Sequence, residues 1–257
     1  MQNGSESALV RSDLTDLPLS TWWQRGQVLQ DAKGRGKVEV LEPGDGLTAV
    51  ARTYRRGGAL RGLLGDRYLG PGRAFRELIV LAGLASRKIP AVEPLAAVAR
   101  RRGGFFRLRL VTTLVRDARP LSDFLGAHPH LRRRAVEEAG RVVQASFDVG
   151  LHHRDLHPDN LLAVQAPDRV RVLLMDLDRA HLESAVQERE QDRMLVRMAR
   201  YLHRHRGHLA VSPSATDHLR FLRGTGMDRR ARRRVVKRLA PVIKRSVAWH
   251  RLSWREK

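Results

Sequence analysis

Residues 152–178 constrain the fold more than any other part of the chain. They contain the run His-Arg-Asp that ends at Asp155, and Asn160 follows five residues later. A second aspartate, Asp176, comes 21 residues after Asp155, at the end of a short apolar run. A segment with helical periodicity precedes this loop, and two short segments with strand patterns follow it. The sequence therefore predicts a polar loop held between a helix and a hairpin.

The residue types in this loop fit phosphoryl transfer. That reaction needs a carboxylate to orient the acceptor hydroxyl and accept its proton, together with an Asn and a second Asp to hold Mg²⁺. Asp155 is predicted to be the catalytic carboxylate, and Asn160 and Asp176 are predicted to be the metal ligands. The alternative is a polar loop whose Asp and His only cap a turn, but it does not explain the order and spacing of all the parts.

A phosphate-gripping cation is expected upstream of this loop, on a strand, and paired with a Glu on the next helix. The run Ala49-Val50-Ala51-Arg52 fits the strand, and Glu77 lies 25 residues after Arg52 in a helix-forming segment. Strand alternation places Val50 and Arg52 on one face, as an adenine-side residue and a cation. The alternative is that Arg52 and Glu77 are ordinary surface charges.

A glycine-containing turn precedes that strand. Gly34 and Gly36 lie in the basic run Lys33–Lys37, where their backbone N–H groups could approach a phosphate. A plain hairpin turn explains the same run equally well. Only its position upstream of the other predicted parts favours a role in nucleotide binding.

The hydrophobic period changes along the chain from that of strands to that of helices. Up to residue 114 the pattern is mostly strand-like, with one helix predicted at residues 73–86, whereas helices dominate from residue 115 onward, and Pro241 is expected to kink or split the last. Strands followed by helices predict an α+β fold with two lobes, a small antiparallel β-rich N-lobe and a larger helical C-lobe. We assign residues 1–20 to a flexible leader, 21–114 to the N-lobe and 115–257 to the C-lobe.

The charge of the chain indicates anionic partners. It has 49 Lys and Arg against 27 Asp and Glu, a formal net charge of +22, and no cysteine. Such a surface attracts nucleic acid, anionic lipid or phosphorylated substrates. No apolar run is long enough to span a membrane. The basic segment from residue 228 predicts an amphipathic helix that either lies on an anionic membrane or packs on the C-lobe with a solvated basic face.

These residues together resemble the bacterial Kdo kinase and lipopolysaccharide-core kinase family, a branch of the protein-kinase-like fold. Three passages carry the resemblance: residues 52–58 with 66–68, residues 73–77 with 89–94, and the catalytic loop with Met175-Asp176-Leu177-Asp178. In the last passage the Gly of the kinase Asp-Phe-Gly motif is absent. The likeness covers roughly residues 30–205.

The resemblance implies an ATP- and Mg²⁺-dependent kinase that phosphorylates a sugar hydroxyl of the lipid A–Kdo core, on Kdo or heptose. It also implies a peripheral location at the cytoplasmic face of the bacterial inner membrane, where the acceptor is an anionic glycolipid. Nucleic acid is not expected as a partner, since aromatic residues make up only 5% of the chain. The alternatives are a small-molecule kinase, an atypical protein kinase, or a non-catalytic pseudokinase that binds anions or nucleic acid.

Overall fold

The computed structural model divides the chain into two compact units, which we describe separately. The first unit consists of Met1–Ala85 and Val92–Val115, and the second of Ser86–Ala91 and Arg116–Lys257. The structure describes residues 2–3, 5–29, 38–44, 46–55 and 65–254, with side chains described from residue 5 to residue 250.

The first unit is built on an antiparallel sheet. Its seven described strands lie in the order β1-β2-β6-β7-β5-β4-β3. One long helix, α1, and two short 3₁₀ turns accompany the sheet. The elements are β1 (Gln2–Asn3), β2 (Glu6–Val10), 3₁₀ turns at Ser12–Leu14 and Leu19–Trp23, β3 (Gln27–Val28), β4 (Val38–Gly44), β5 (Leu47–Thr53), α1 (Gly72–Ser86), β6 (Pro94–Arg102) and β7 (Phe105–Thr113).

The core of this unit lies against one face of the sheet. Trp22 is fully buried there and packs with small and aliphatic residues that include Ala49, Leu95 and Val111. A buried ion pair lies beside this core. The Arg109 side chain pairs with Glu39 and donates hydrogen bonds to the backbone carbonyls of Trp22 and Gln24. The pair joins two strands of the sheet and satisfies charges that burial alone would penalise.

The prediction of a flexible leader at residues 1–20 was wrong for the residues described there. Strand β2 pairs antiparallel with β6 along five residue pairs, from Glu6↔Arg100 to Val10↔Ala96. The Arg100 Nε also lies 2.5 Å from a Glu6 carboxylate oxygen. The polar composition of this segment obscured a short strand whose partner lies about 90 residues away along the chain.

The second unit is mainly helical, with two small sheets. The described strands pair in the orders β11-β10-β8 and β12-β9. The elements are β8 (Arg119–Pro120), α2 (Leu121–Ala127), a 3₁₀ turn at Pro129–Leu131, α3 (Arg132–Asp148), β9 (Leu151–His152), a 3₁₀ turn at Pro158–Asn160, β10 (Leu161–Gln165), β11 (Val170–Leu174), β12 (His181–Leu182), α4 (Glu188–Arg204), α5 (Ala215–Gly224) and α6 (Arg229–Trp254).

Helices α3 and α5 approach each other closely through two glycines. A Cβ atom added to Gly140 would lie 2.0 Å from the Phe221 carbonyl oxygen, and one added to Gly224 would lie 1.9 Å from the Glu137 carbonyl oxygen. Asp217 strengthens this contact, because it completes a capping box with Ser214 and accepts hydrogen bonds from Arg132 on α3. Glycine is therefore required where the two backbones meet.

The basic segment at the end of the chain forms one helix that packs on its own unit. On α6, Val235 and Leu239 are buried against Val196 of α4 and Leu222 of α5. The helix is not split at Pro241, whose exposed position lets water satisfy the carbonyl that loses its hydrogen bond. None of the helices in the described part of the chain is long and apolar enough to cross a membrane.

Candidate active site

The loop after β9 holds two of the three residues predicted to catalyse phosphoryl transfer. Asp155 is largely exposed, with 79% of its side chain accessible, whereas Asn160 is buried in the 3₁₀ turn before β10. The Asn160 side chain donates a hydrogen bond of 2.8 Å from Nδ2 to the Asp155 backbone carbonyl. This bond fixes the loop so that the Asp155 carboxylate projects from a rigid base.

The β10–β11 hairpin brings the third residue to the same loop. Leu161 pairs with Leu174, and the Met175 N–H donates to the Asn160 carbonyl at 3.0 Å. Asp176 is the next residue, so its backbone lies close to Asn160 at the end of the hairpin. Asp176 has a φ of 52°, in the left-handed region that non-glycine residues seldom adopt. Such a backbone is typical of a functional position, where the side chain must leave the strand at a set angle.

The donors at this position fit Mg²⁺. Because the Asn160 amide nitrogen is used in the bond to Asp155, its amide oxygen is the atom left to face a cation. Asp176 adds a carboxylate oxygen next to it along the hairpin. Oxygen ligands from carboxylates and amides are those that Mg²⁺ takes in phosphate-transfer sites. The residues present therefore match the ion that the sequence predicts.

Sequence reasoning gave no role to His157, which the structure places beside Asp155. Its Nε2 lies 3.9 Å from the Asp155 carboxylate, and its ring stacks on Tyr201 with centroids 4.1 Å apart. The Tyr201 hydroxyl donates to Asp159 at 2.6 Å, and Ser122 donates to the other oxygen of that carboxylate. Burial lowers the pKa of His157, against the opposing effect of the Asp155, Asp159 and Asp176 carboxylates. Its position two residues after Asp155 is the one sequence signal that could have identified it.

His153 supports the loop from inside. The ring is almost fully buried, and its Nδ1 accepts a hydrogen bond of 3.4 Å from the Asp155 backbone N–H. Burial lowers the pKa of His153 to about 4, against the opposing effect of the Asp176 and Asp155 carboxylates. The neutral imidazole is thus an acceptor that orients Asp155 and carries no charge of its own near neutral pH.

In the first unit, the predicted cation and carboxylate form an ion pair. The Arg52 Nη2 lies 2.6 Å and 2.8 Å from the two Glu77 carboxylate oxygens, and Glu77 is 1% exposed. The Tyr54 hydroxyl also donates to Glu77, and the Arg52 guanidinium lies 4.9 Å from the centroid of the Tyr54 ring. Tyr54 is a second partner to which the sequence analysis gave no role. It lies two residues after Arg52, and its N–H donates to the Leu108 carbonyl at 3.0 Å, so the alternation that places Val50 and Arg52 on one face could have identified it.

The other predicted nucleotide-binding residues divide into two groups. Val50 is half-buried on β5, two residues before Arg52 and on the same face of the strand. Gly34 and Gly36 lie outside the described residues. The role assigned to each of the three stays a prediction.

Comparison with known proteins places most of the chain in one family. The family described as "Lipopolysaccharide kinase (Kdo/WaaP) family" matches residues 20–224. The chain is 30% identical to the 3-deoxy-D-manno-octulosonic acid kinase of Photobacterium profundum over 202 residues, which cover 77% of this chain and 83% of that protein. It is 31% identical to the protein of the same name from Xanthomonas campestris pv. campestris over 208 residues, covering 79% and 80% of the two chains.

A solved structure shares the fold. The structure described as "WaaP in complex with acyl carrier protein" superposes with a TM-score of 0.63 and covers 94% of this chain and 98% of that chain. The two sequences are 20% identical, so the likeness supports the kinase-like fold alone. The predicted α+β architecture, with an antiparallel β unit followed by a helical unit, is confirmed.

Proposed function

Because the chain belongs to the lipopolysaccharide kinase (Kdo/WaaP) family, we propose that it transfers the γ-phosphate of ATP to a sugar hydroxyl of the lipopolysaccharide inner core. Kinase activity on the core follows from family membership, whereas the ATP donor and the acceptor sugar are our proposal. The observation that carries it is the Asn160–Asp155 hydrogen bond, which holds a rigid catalytic loop beside Asp176. Kdo is favoured over heptose as the acceptor because the curated relatives are Kdo kinases.

Each residue of the second unit has a distinct part in the proposed reaction. The exposed Asp155 carboxylate orients the acceptor hydroxyl and takes its proton as the new phosphate ester forms. Asn160 and Asp176 would hold Mg²⁺, which neutralises charge on the transferred phosphate when it is bound. His157, whose ring is stacked on Tyr201, lies beside Asp155 and limits the positions that the carboxylate can adopt.

The first unit supplies the proposed nucleotide contacts. Arg52 would bind the α- and β-phosphates, and the buried Glu77 carboxylate would hold the guanidinium in place. Val50 would contact the adenine, and Gly34 and Gly36 would approach the phosphates through their backbone N–H groups. Arg52 stands where protein kinases use Lys, but the guanidinium keeps the charge and adds a two-pronged donor geometry.

A transfer assay with an acceptor of known structure tests the proposal. Purified protein, ATP and Mg²⁺ are incubated in parallel with lipid A that carries Kdo alone and with lipid A that carries both Kdo and heptose, and tandem mass spectrometry locates the added phosphate. We expect Asp155→Asn to lower turnover about 10²–10⁴-fold with little change in Tm, since the side chain is exposed. The control is Asp168→Asn, which removes an exposed carboxylate from the β10–β11 turn and should leave turnover unchanged.

The outcomes of this assay separate the parts of the proposal. Phosphate found on heptose but not on Kdo would contradict the preferred acceptor and keep the core kinase. Failure to phosphorylate either sugar would contradict the acceptor class, and wild-type turnover by Asp155→Asn would contradict the catalytic role. Comparison of the core from cells with and without the gene provides the same test in vivo.

We also propose that α6 holds the enzyme on an anionic membrane surface, at the cytoplasmic face of the inner membrane where the acceptor is made. Its buried residues face α4 and α5, which leaves a row of exposed cations: Arg229, Arg230, Arg233, Arg234, Lys237, Lys244 and Arg245. Trp249 is 77% exposed at the far end of the row. A basic face with an interfacial tryptophan is typical of a helix that binds anionic lipid.

A further inference from the structure

Two histidines and one glutamate form a cluster beside the catalytic loop that the proposed kinase reaction does not use. His152 on β9 and His181 on β12 are directly opposite each other in the antiparallel ladder. Cross-strand partners project from the same face of a sheet, and the two imidazole rings are stacked with centroids 4.9 Å apart and planes 8° apart. Glu183 follows two residues after His181 and reaches both rings.

The backbone under the cluster is held firmly. The Glu183 N–H donates to the Gly150 carbonyl at 2.9 Å, which extends the ladder beyond the two strands. Gly150 has a φ of +85°, and a Cβ atom there would lie 1.9 Å from the Glu183 carbonyl oxygen. The close approach that brings the three side chains together therefore depends on glycine at this position.

The separations of the donor atoms match a bound metal ion. The Glu183 carboxylate lies 3.3 Å from His152 Nε2 and 3.0 Å from His181 Nε2. One donor atom from each residue can be chosen so that all three lie within 4.8 Å of one another. Ligands on a tetrahedral zinc ion are about 3.4 Å apart, and two His with one Glu is a known zinc ligand set.

A second observation points to a ligand at the same place. The His152 Nε2 atom is buried, and although the Glu183 carboxylate lies 3.3 Å away, it makes no hydrogen bond to that group or to any other in the described part of the chain. A buried polar atom without a hydrogen bond is costly unless another partner satisfies it. The three side chains also line a cavity of about 600 Å³, which leaves room for a water molecule as a fourth ligand.

We propose that His152, His181 and Glu183 bind a transition-metal ion of the zinc class. The ion joins β9, which leads into the catalytic loop, to β12, which follows Asp178. It would hold together the two strands on either side of the loop and would be separate from the Mg²⁺ that Asn160 and Asp176 are proposed to hold. Imidazole nitrogen favours zinc over magnesium, which prefers ligands that are all oxygen.

Direct binding measurements test this site without relying on activity. Metal-stripped protein is titrated with Zn²⁺ by calorimetry in excess Mg²⁺, and Co²⁺ is used as a visible-absorption probe of four-coordinate geometry. We expect one Zn²⁺ per chain and a rise in Tm on binding. His181→Ala and Glu183→Gln should each weaken binding about 100-fold or more, beyond the effect of losing a second-shell partner, and should abolish the rise in Tm.

The variants are chosen so that misfolding does not confuse the result. The side chains of His181 and Glu183 are 46% and 53% exposed, so their loss opens no core cavity. His218→Ala is the matched control, because it removes an exposed histidine from α5 and should leave binding unchanged. An absence of zinc binding, or binding kept in both cluster variants, for example at the histidines at the end of α4, would overturn the proposal.

Discussion

Glu77 illustrates how one buried residue can organise several others. Its side chain is 1% exposed, and its carboxylate accepts hydrogen bonds from Arg52 and Tyr54. A further cation, Arg73, lies 5.4 Å from the centroid of the Tyr54 ring. The proposed phosphate-binding group is therefore the Arg52–Glu77 ion pair, which Tyr54 supports through its hydrogen bond to Glu77 and its contact with the Arg52 guanidinium.

A series of substitutions can separate the effect of the positive charge of Arg52 from the effect of the Glu77 carboxylate that holds it in place. Glu77→Ala removes the acceptor shared by Arg52 and Tyr54, so we expect a loss of about 2–3 kcal/mol in the free energy of unfolding and a large rise in the KM for ATP. Arg52→Lys keeps the charge and should retain part of the activity. Urea unfolding and steady-state kinetics measure both effects.

Tyr54→Phe is the matched control in this series. It removes one hydrogen bond to Glu77 and keeps the ion pair, so we expect a loss of about 1 kcal/mol and a small change in KM. If Glu77→Ala behaves no worse than Tyr54→Phe in both measurements, the ion pair does not position the nucleotide.

His153 makes stability depend on pH. Its pKa is about 4 in the folded chain, below the ordinary value of 6.5, because burial disfavours the charged ring. Between these values the unfolded chain binds more protons, so the stabilisation is complete above pH ~6.5 and is lost as the pH falls toward 4, by about 3 kcal/mol in all. His153→Gln should therefore flatten the pH dependence of unfolding between pH 7 and 4.5.

The comparison for this prediction is His218→Gln, which changes an exposed histidine. Urea unfolding at the two pH values gives the difference in stability for each variant. A His153→Gln protein that loses as much stability on acidification as the native chain would show that other groups cause the effect.

At the scale of elements, the contact between α3 and α5 depends on two glycines, Gly140 and Gly224, which have no Cβ atom. A Cβ atom at Gly140 would lie 2.0 Å from a backbone oxygen of Phe221, which cannot move without shifting its helix. Alanine is otherwise the better helix former by about 1 kcal/mol. The packing and propensity effects of Gly140→Ala thus have opposite signs.

We expect packing to dominate, with Gly140→Ala lowering the free energy of unfolding by about 1–3 kcal/mol. Gly207→Ala is the control, because nothing lies within 4 Å of a Cβ atom at that position. Thermal unfolding of both variants measures the difference. A Gly140→Ala protein as stable as the native chain would contradict the close approach of the two helices.

Helix α6 shows that a basic residue need not be available to a partner. Arg238 pairs with Glu188 and Asp192 of α4, and Arg232 donates to the Met227 carbonyl at 2.7 Å. These two cations stabilise the packing of the helix. Basic residues that are engaged in such contacts are therefore less available for binding at a membrane.

At the scale of the whole molecule, the net charge of +22 favours anionic surfaces, and α6 concentrates part of it. We expect binding to anionic vesicles to fall steeply between low and physiological salt, where exposed charges are screened over ~8 Å. Each lysine or arginine near the surface contributes about 1 kcal/mol. Replacement of Arg230, Arg233, Arg234 and Lys237 by Gln should weaken binding up to about 10³-fold in co-sedimentation.

The control for this prediction carries the same change in charge elsewhere. Arg101, Arg102, Arg169 and Arg171 are exposed and lie outside α6, so their replacement by Gln should weaken vesicle binding less. Turnover on a soluble, delipidated acceptor should be unchanged in the α6 variant. Equal losses of binding in both variants, or an equal loss of turnover on the soluble acceptor, would contradict the membrane role of α6.

Interactions between residues that are close in the sequence allowed the sequence to predict much of the fold and to predict which residues lie together around the catalytic loop. Asp155 and Asn160 are five residues apart in one loop, and a tight hairpin brings Asp176 to them. The hydrophobic period likewise predicts a helix at residues 73–86, close to the observed bounds of α1, Gly72–Ser86. In each case the pattern and the contact that it predicts lie within one or two adjacent elements.

Tertiary structure decided the contacts between distant segments. Strand β2 pairs with β6, and Arg109 is buried against Glu39. His152 and His181 lie opposite each other on β9 and β12, two short strands whose sequences have no strong hydrophobic pattern. Such contacts form between segments that are distant in the sequence, and they depend on how well the surfaces of those segments fit together in the folded chain. Their free energy depends on burial and on the loss of water from both partners, which no local run of residues specifies.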